Sequence, residues 1–381
     1  MMRRVLALIP AFAAALLLPA CASLNPFADD TPKMAPLPAF QASASLATRW
    51  SASIGEAGVY LFEPAVVGDD VLAAAEAGDV ARFGGAGQTR WRVHIEGGLT
   101  AGVGADARLA VVANRLGQVI ALDADSGAEQ WRSAVNAEVL STPALARDFV
   151  IVRSSDNRLF GLDRKDGTLR WTYRRTTPPL TLRNQSGMLV EENVAVTGFP
   201  GGKLAAFNLA NGGLIWELTV TVPTGATELE RIADVVGAPV LHRQNLCAAT
   251  FQGRVACFDV SNGKMIWSRP LSSSNGISRD ARQVYVTEDG DAVSALDAFS
   301  GASMWRQSAL ARRGLSAPLA TAAGVVVGDS EGYLHLLSRD TGAFIGRAET
   351  DGSAIVVAPR AKGDAVLVQT RGGRVLVLEP R

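Results

Sequence analysis

The sequence predicts an all-β chain closed into an eight-bladed β-propeller with four-stranded blades. Three observations carry that prediction. All seven tryptophans, Trp50, Trp91, Trp131, Trp171, Trp216, Trp267 and Trp305, share one phase of a repeat, at spacings of 41, 40, 40, 45, 51 and 38 residues. Each period is made of short apolar runs between Gly, Asp and Ser turns. The two chain ends carry complementary fragments of one unit. A period of this length, built from short strands and tight turns, is what a blade requires.

Residues 1–20 read as a secretory signal peptide: Met1-Met2-Arg3-Arg4 precedes an apolar run from Val5 to Leu18. That run ends in Leu18-Pro19-Ala20-Cys21, which resembles the lipobox of bacterial lipoproteins, with cleavage before Cys21 and acylation of its thiol. Ala22 follows the cysteine instead of Asp, which by resemblance to enteric lipoproteins favours the outer membrane, on its periplasmic face. The plain alternative is an exported protein with a chance cysteine. Residues 21–40 are rich in Pro, Ala and Asp and read as a lipidated flexible tether. The propeller is assigned to 41–381. No later stretch is apolar for the eighteen residues that a spanning helix needs.

Aligned on tryptophan, the repeat is Gly-x-Val-x-Ala-Leu-Asp-x-x-Ser/Thr/Asn-Gly-x-x-x-Trp, clearest from Gly117 to Trp131. The first Gly supplies the positive φ of a hairpin turn. Val-x-Ala-Leu is apolar on both faces, as a sheet packed between two neighbours must be. Asp and the Ser-Gly pair make the next turn, with side-chain oxygens bonding local amides. The Trp lies on the outer strand and caps the gap to the adjacent blade. A proline fourteen residues before the hairpin phase, at Pro64, Pro143, Pro239, Pro318 and Pro359, opens the strand nearest the axis. The Asp phase recurs at Phe83, Asp123, Asp163, Asn208, Asp259, Asp297, Ser338 and Glu379, which gives eight blades. The last copy stops before its outer strand, and the segment around Trp50 is an outer strand without a hairpin, so the two ends complete one blade and close the ring.

Little in the chain points to chemistry. Lys plus Arg equals Asp plus Glu at 37 each, so no overall basic field exists to hold nucleic acid. His94, His242 and His335 share no spacing, and His335 falls at a ladder phase that suits packing. The repeated Asp residues are too dispersed for an acid/base pair. Gly84-Gly85-Ala86-Gly87 lies in a degenerate turn with no helix to cradle a phosphate. No nucleophile elbow occurs. No catalytic residue, cofactor site or metal site is assigned. Beyond Cys21, Cys247 and Cys257 flank the turn at Gly253, nearly opposite each other; a cross-strand disulfide and two buried thiols are both open.

The informative departures are insertions. Most blades use 10 to 14 residues from the Trp to the Pro phase, but sixteen follow Trp171 and twenty-three follow Trp216. Both join an outer strand to the next inner strand, on consecutive blades, so they project side by side from one face. Leu180, Leu182 and Arg183 in the first, with Glu230, Arg231 and Asp234 in the second, mix apolar anchors with charge as protein-binding surfaces do. A shorter third candidate is Leu310-Ala-Arg-Arg-Gly-Leu315.

In Pro179-Leu-Thr-Leu-Arg183, Thr227-Glu-Leu-Glu-Arg-Ile-Ala-Asp234 and Val327-Gly-Asp-Ser-Glu-Gly-Tyr-Leu-His335, the chain resembles the BamB family, propeller lipoproteins of the machinery that assembles outer-membrane β-barrel proteins. The resemblance covers nearly the whole mature chain. It implies a non-enzymatic scaffold without a cofactor, binding the periplasmic POTRA domains of the central barrel subunit through Leu180, Leu182, Arg183 and Asp234. The family has a second acidic residue two positions after Asp234, where this chain has Val236. Blade edges could also pair with extended nascent outer-membrane proteins. The Ala-Leu-Asp-x-x-Ser-Gly-x-x-x-Trp repeat is shared with quinoprotein dehydrogenases (PQQ-like repeats), so a quinone-dependent oxidoreductase is the rival reading; a periplasmic ligand binder using the central channel is a third. Against the rival, the chain is short and has neither an adjacent cysteine pair nor a calcium-ligand cluster.

Overall fold

Each repeat folds as a four-stranded antiparallel sheet, and eight such sheets occur among the described residues. The computed structural model describes residues 33–183 and 186–381; the signal-peptide reading and Cys21 lie outside them. Blade one is Ala65–Val67, Asp70–Ala74, Asp79–Phe83 and Thr89–His94, from axis to rim. Blades two to seven repeat the order. Blade eight combines Arg360–Lys362, Ala365–Gln369 and Arg374–Pro380 with the N-terminal Leu46–Ser53 as its outer strand, paired from Leu46↔Pro380 to Ser53↔Arg374. The ends therefore close the ring as the truncated repeats imply.

Closure is also visible in the core. Buried side chains form eight clusters, one between each pair of neighbouring blades, including Trp50, Val71, Phe83, Leu367 and Val377 between blades eight and one. The inner strands surround a central channel of about 950 Å³. Pro64, Pro143, Pro318 and Pro359 each immediately precede an inner strand. Pro239 differs: it lies within Val235–His242, where the register shifts between Val236 and Val240. An irregularity that leaves an amide unpaired tolerates a residue without one.

The Asp-phase turns form as expected, with Asp123 accepting from the amides of Asp125 and Ser126 and from the Ser126 hydroxyl. The hairpin Gly phase has positive φ at most copies, for example +72° at Gly117. In blade five Gln252, at +46°, takes that conformation one residue before Gly253.

The tryptophans explain why Gly is needed in the second turn. Trp91, Trp131, Trp171, Trp267 and Trp305 each donate Nε1–H to the carbonyl that follows the Asp phase of the next blade, at 2.6–3.0 Å. The same rings cover that turn's glycine so closely that a Cβ on Gly127, Gly167, Gly212, Gly301 or Gly342 would lie 2.4–2.8 Å from ring carbon. Three junctions depart, one of them after blade seven, where Gly346 stands at the Trp phase. Trp50 faces the degenerate Phe83 turn, and its buried Nε1 has no hydrogen-bond partner. Over Gly263, Leu218 replaces Trp216.

The final part of the expected tether is fastened to blade seven. Ala35 N–H donates to Ala311 O at 2.9 Å, and Arg313 and Arg347 donate to the carbonyls of Ala35 and Pro38, both at 2.9 Å. Phe40 lies 5.6 Å from Phe344 and beneath the Arg347 guanidinium. Weak structure through residue 40 was the expectation; aromatic and arginine contacts order the last residues instead.

Candidate partner-binding rim

The two inserted connectors run from Leu169–Tyr173 to Met188–Glu191 and from Leu214–Thr219 to Val235–His242. They meet. The Asp234 carboxylate accepts from Leu182 N–H at 2.7 Å and from Gly201 N–H at 3.2 Å, which ties the first insertion and the blade-four hairpin to the end of the second. Leu182 packs on the apolar cluster between blades five and six, beside Val236. Leu182 and Arg183 also line the mouth of the central channel.

The four residues carried over from the resemblance thus divide by role. Leu180, 43% exposed, and Arg183, with its side chain 63% exposed, face solvent. Arg183 pairs with Glu138 of the neighbouring connector at 2.6 Å. Leu182 is half-buried and anchors the loop. Asp234 is 1% exposed and holds the loops from within. Burial pushes its carboxyl above the ordinary value, opposed by the two amides and by the charge of Arg153. Val236 is buried on the inner strand.

Arg153 was not singled out in the sequence, because it ends the apolar strand Phe149–Arg153 without any local signal. It is buried, donating to Gly198 O at 2.7 Å and Asn157 Oδ1 at 2.6 Å, over the Phe199 ring. Burial pushes its guanidinium down to about 10, and Asp234 opposes that fall. The second insertion carries its own brace. Glu230 accepts from the amides of Ala226 and Thr227, while Thr227 Oγ1 accepts from Glu230 N–H at 3.3 Å. This is the reciprocal pattern of a capping box, and Thr227-x-x-Glu230 was its readable signal. It leaves Leu229 at 66% and Val222 at 69% exposed, two apolar residues that the sequence reading passed over.

The third candidate is no surface patch. Leu310, Leu315 and Arg313 are buried, with Arg313 paired to Asp329 at 2.8 Å and to Glu331. Asp329 also bonds His335 Nε2 at 3.0 Å, and Arg347 meets His335 Nδ1 at 3.3 Å, so His335 is a packed, partnered side chain. Burial pushes the imidazole below its usual range, against the pull of Asp329. His94 and His242 lie elsewhere, on the outer strand of blade one and the inner strand of blade five. Cys247 and Cys257 are directly opposed across their ladder, Cα atoms 4.1 Å apart, with their sulfurs joined. The separation suits a non-hydrogen-bonded antiparallel pair.

Comparison with known proteins places the chain in a family. The family model described as outer membrane protein assembly factor BamB matches residues 76–307 and 289–381. The outer membrane protein assembly factor BamB of Burkholderia pseudomallei is 39% identical over 383 residues, spanning 100% of both chains. That of Escherichia coli K12 is 31% identical over 383 residues, 97% of each. The crystal structure of BamB from Moraxella catarrhalis has a TM-score of 0.83 at 27% identity, over 88% of this chain and 99% of that one. A quinohemoprotein alcohol dehydrogenase from Comamonas testosteroni has a TM-score of 0.70 at 14% identity, over 87% and 76%, a likeness of fold alone. By the extent of these matches, the chain belongs to the family of the outer membrane protein assembly factor BamB.

Proposed function

We propose that this chain serves outer-membrane β-barrel assembly as a scaffold, holding POTRA domains of the central barrel subunit against the rim of its two inserted loops. Family membership makes it an outer-membrane protein assembly factor rather than an enzyme. Acylation of Cys21 would hold it at the periplasmic face, since several acyl chains anchor firmly at roughly 0.8 kcal/mol per buried CH₂.

The observation that carries the docking reading is the bond from Leu182 N–H to Asp234, which fixes two mobile-length connectors into one surface before any partner arrives. A prefixed surface avoids the ordering cost that a loop must otherwise meet on binding. On it, Leu180 supplies an apolar anchor. Arg183 is a cation whose present partner, Glu138, is exchangeable because the pair is solvent-screened. Arginine is among the side chains that interface hot spots favour, and the exposed leucine beside it adds apolar contact area.

Arg183→Glu is expected to abolish co-purification of the central barrel subunit from detergent-solubilised membranes, while the melting temperature stays within a degree or two, about the effect of a surface change. Full recovery of the complex with Arg183→Glu would remove the rim from the account.

A further inference from the structure

The motif Val327-Gly-Asp-Ser-Glu-Gly-Tyr-Leu-His335 takes no part in the rim. It lies in blade seven, to which the segment from Met34 to Ala44 is tied. Two cations make side-chain ties. Arg313 Nη1 donates to Ala35 O and Arg347 Nη2 to Pro38 O, both at 2.9 Å, and the Arg347 guanidinium lies 5.0 Å from the centre of the Phe40 ring. These cations are held differently. Arg313 is locked by carboxylates, with Asp329 at 2.8 Å and Glu331 beside it. Arg347 has no ion pair with a carboxylate among the described residues; its Nε–H donates to His335 Nδ1 at 3.3 Å.

That bond fixes the protonation state of His335. A guanidinium donates and does not accept, so Nδ1 presents its lone pair and Nε2 carries the proton, which it donates to Asp329 Oδ2 at 3.0 Å. The ring is 0% exposed. A second proton can go only to Nδ1, where it would oppose the Arg347 N–H and set an imidazolium against two guanidinium groups, those of Arg347 and Arg313. Asp329 is the one carboxylate bonded to the ring among the described residues, and it already serves Arg313. Tyr333 and Phe344 pack beside the imidazole, and the segment from Met34 to Ala44 has no titratable side chain. Burial, with the two guanidinium charges, holds the imidazole below its usual range against the pull of Asp329.

We propose that His335 and Arg347 form an acid-sensitive latch, which fastens the segment from Met34 to Ala44 to blade seven while the imidazole is neutral and frees it when Nδ1 is protonated. Protonation drives Arg347 from the ring, and with it go the bond to Pro38 and the stacking on Phe40. The seated ring favours the neutral form, so the hold is fully present above pH 6.5 and is lost as pH falls through 6.5 toward the seated value. Closure of the ring by Leu46–Ser53 does not depend on it, because that strand pairs with Arg374–Pro380. Where an acyl chain holds the N-terminus, release lengthens the free tether by this segment, about 35–40 Å at full extension. That consequence rests on the anchor reading; the latch itself does not.

Hydrogen–deuterium exchange of the full chain at pH 7.5 and 5.5, corrected for the pH dependence of intrinsic exchange, tests the latch. Exchange across residues 35–44 should quicken about tenfold or more at the lower pH, the change that one proton gives over one pH unit. The strand Glu129–Ala134 of blade two should keep its rate. In His335→Gln the amide can accept from Arg347 and donate to Asp329 without titrating, so the segment should stay slow at both pH values. Equal protection of the native segment at both pH values, or quickening of blade two along with it, would overturn the proposal. An unchanged pH response in His335→Gln would overturn it as well; should that variant not fold, the native comparison of residues 35–44 with blade two decides alone. Failure of the rim reading with Arg183→Glu leaves this outcome untouched, since no latch residue lies in the inserted loops.

Discussion

Asp234 accepts from two backbone amides while buried beside Arg153, so its removal leaves several polar groups without partners. Asp234→Ala is expected to destabilise the chain by about 2–4 kcal/mol in chemical denaturation, the cost of orphaning buried donors and a buried cation. It should also weaken partner binding although the carboxylate never reaches the surface. His335 makes a second prediction, about pH. Its folded value is pushed below the ordinary 6.5 by burial, so the fold favours the neutral ring. The stability this contributes is fully present above pH 6.5 and is lost as pH falls through 6.5 toward the folded value. Asp329, Arg313, Arg347 and Tyr333 surround the ring. Melting curves between pH 7.5 and 5 should show this slope in the native chain and a flatter one in His335→Gln. Identical slopes would place the acid sensitivity elsewhere. The position of Asp234 in an insertion was readable in the sequence; its burial was not, because its partners are main-chain amides that leave no mark on residue identity.

At the level of single elements, the turn under each tryptophan ties a blade to its successor. Gly127 has φ +76° and a ring carbon of Trp91 2.8 Å from where a Cβ would sit, whereas Gly363 has φ +58° with open space around it. Gly127→Ala should cost roughly 3 kcal/mol, a left-handed residue plus overpacking, and Gly363→Ala only about 1–2 kcal/mol. Equal losses would show that backbone conformation alone sets the requirement for Gly. The disulfide also belongs to this scale. Alkylation without reductant should leave Cys247 and Cys257 unmodified; two labelled thiols per chain would show the pair reduced. Strands, turns and the Trp phase were legible because apolar runs and turn residues repeat. The outer-strand bulges just before the Trp phase, where the ladder skips Arg90 in blade one and Gln130 in blade two, were not, since residues on an outer strand are exposed on either side of the slip and the pattern hides it.

For the whole molecule, ring closure follows from counting Asp phases and from the two partial repeats, and the Leu46–Ser53 strand completes blade eight accordingly. Adjacency of the two long connectors was a consequence of that count, and the bond from Leu182 to Asp234 realises it. What counting could not supply was the fastening of residues 35–44 on blade seven, because Phe40, Arg313 and Arg347 are distant in sequence and belong to no motif. The central claim is that the joined loops are where the partner docks. Hydrogen–deuterium exchange of the full chain, with and without the soluble POTRA domains of the central subunit, tests it most directly. Slowed exchange confined to segments 176–187 and 222–234 and the adjoining Glu138 connector is the predicted result; slowed exchange on the outer strands of blades one, two and eight, with those loops unchanged, would contradict it.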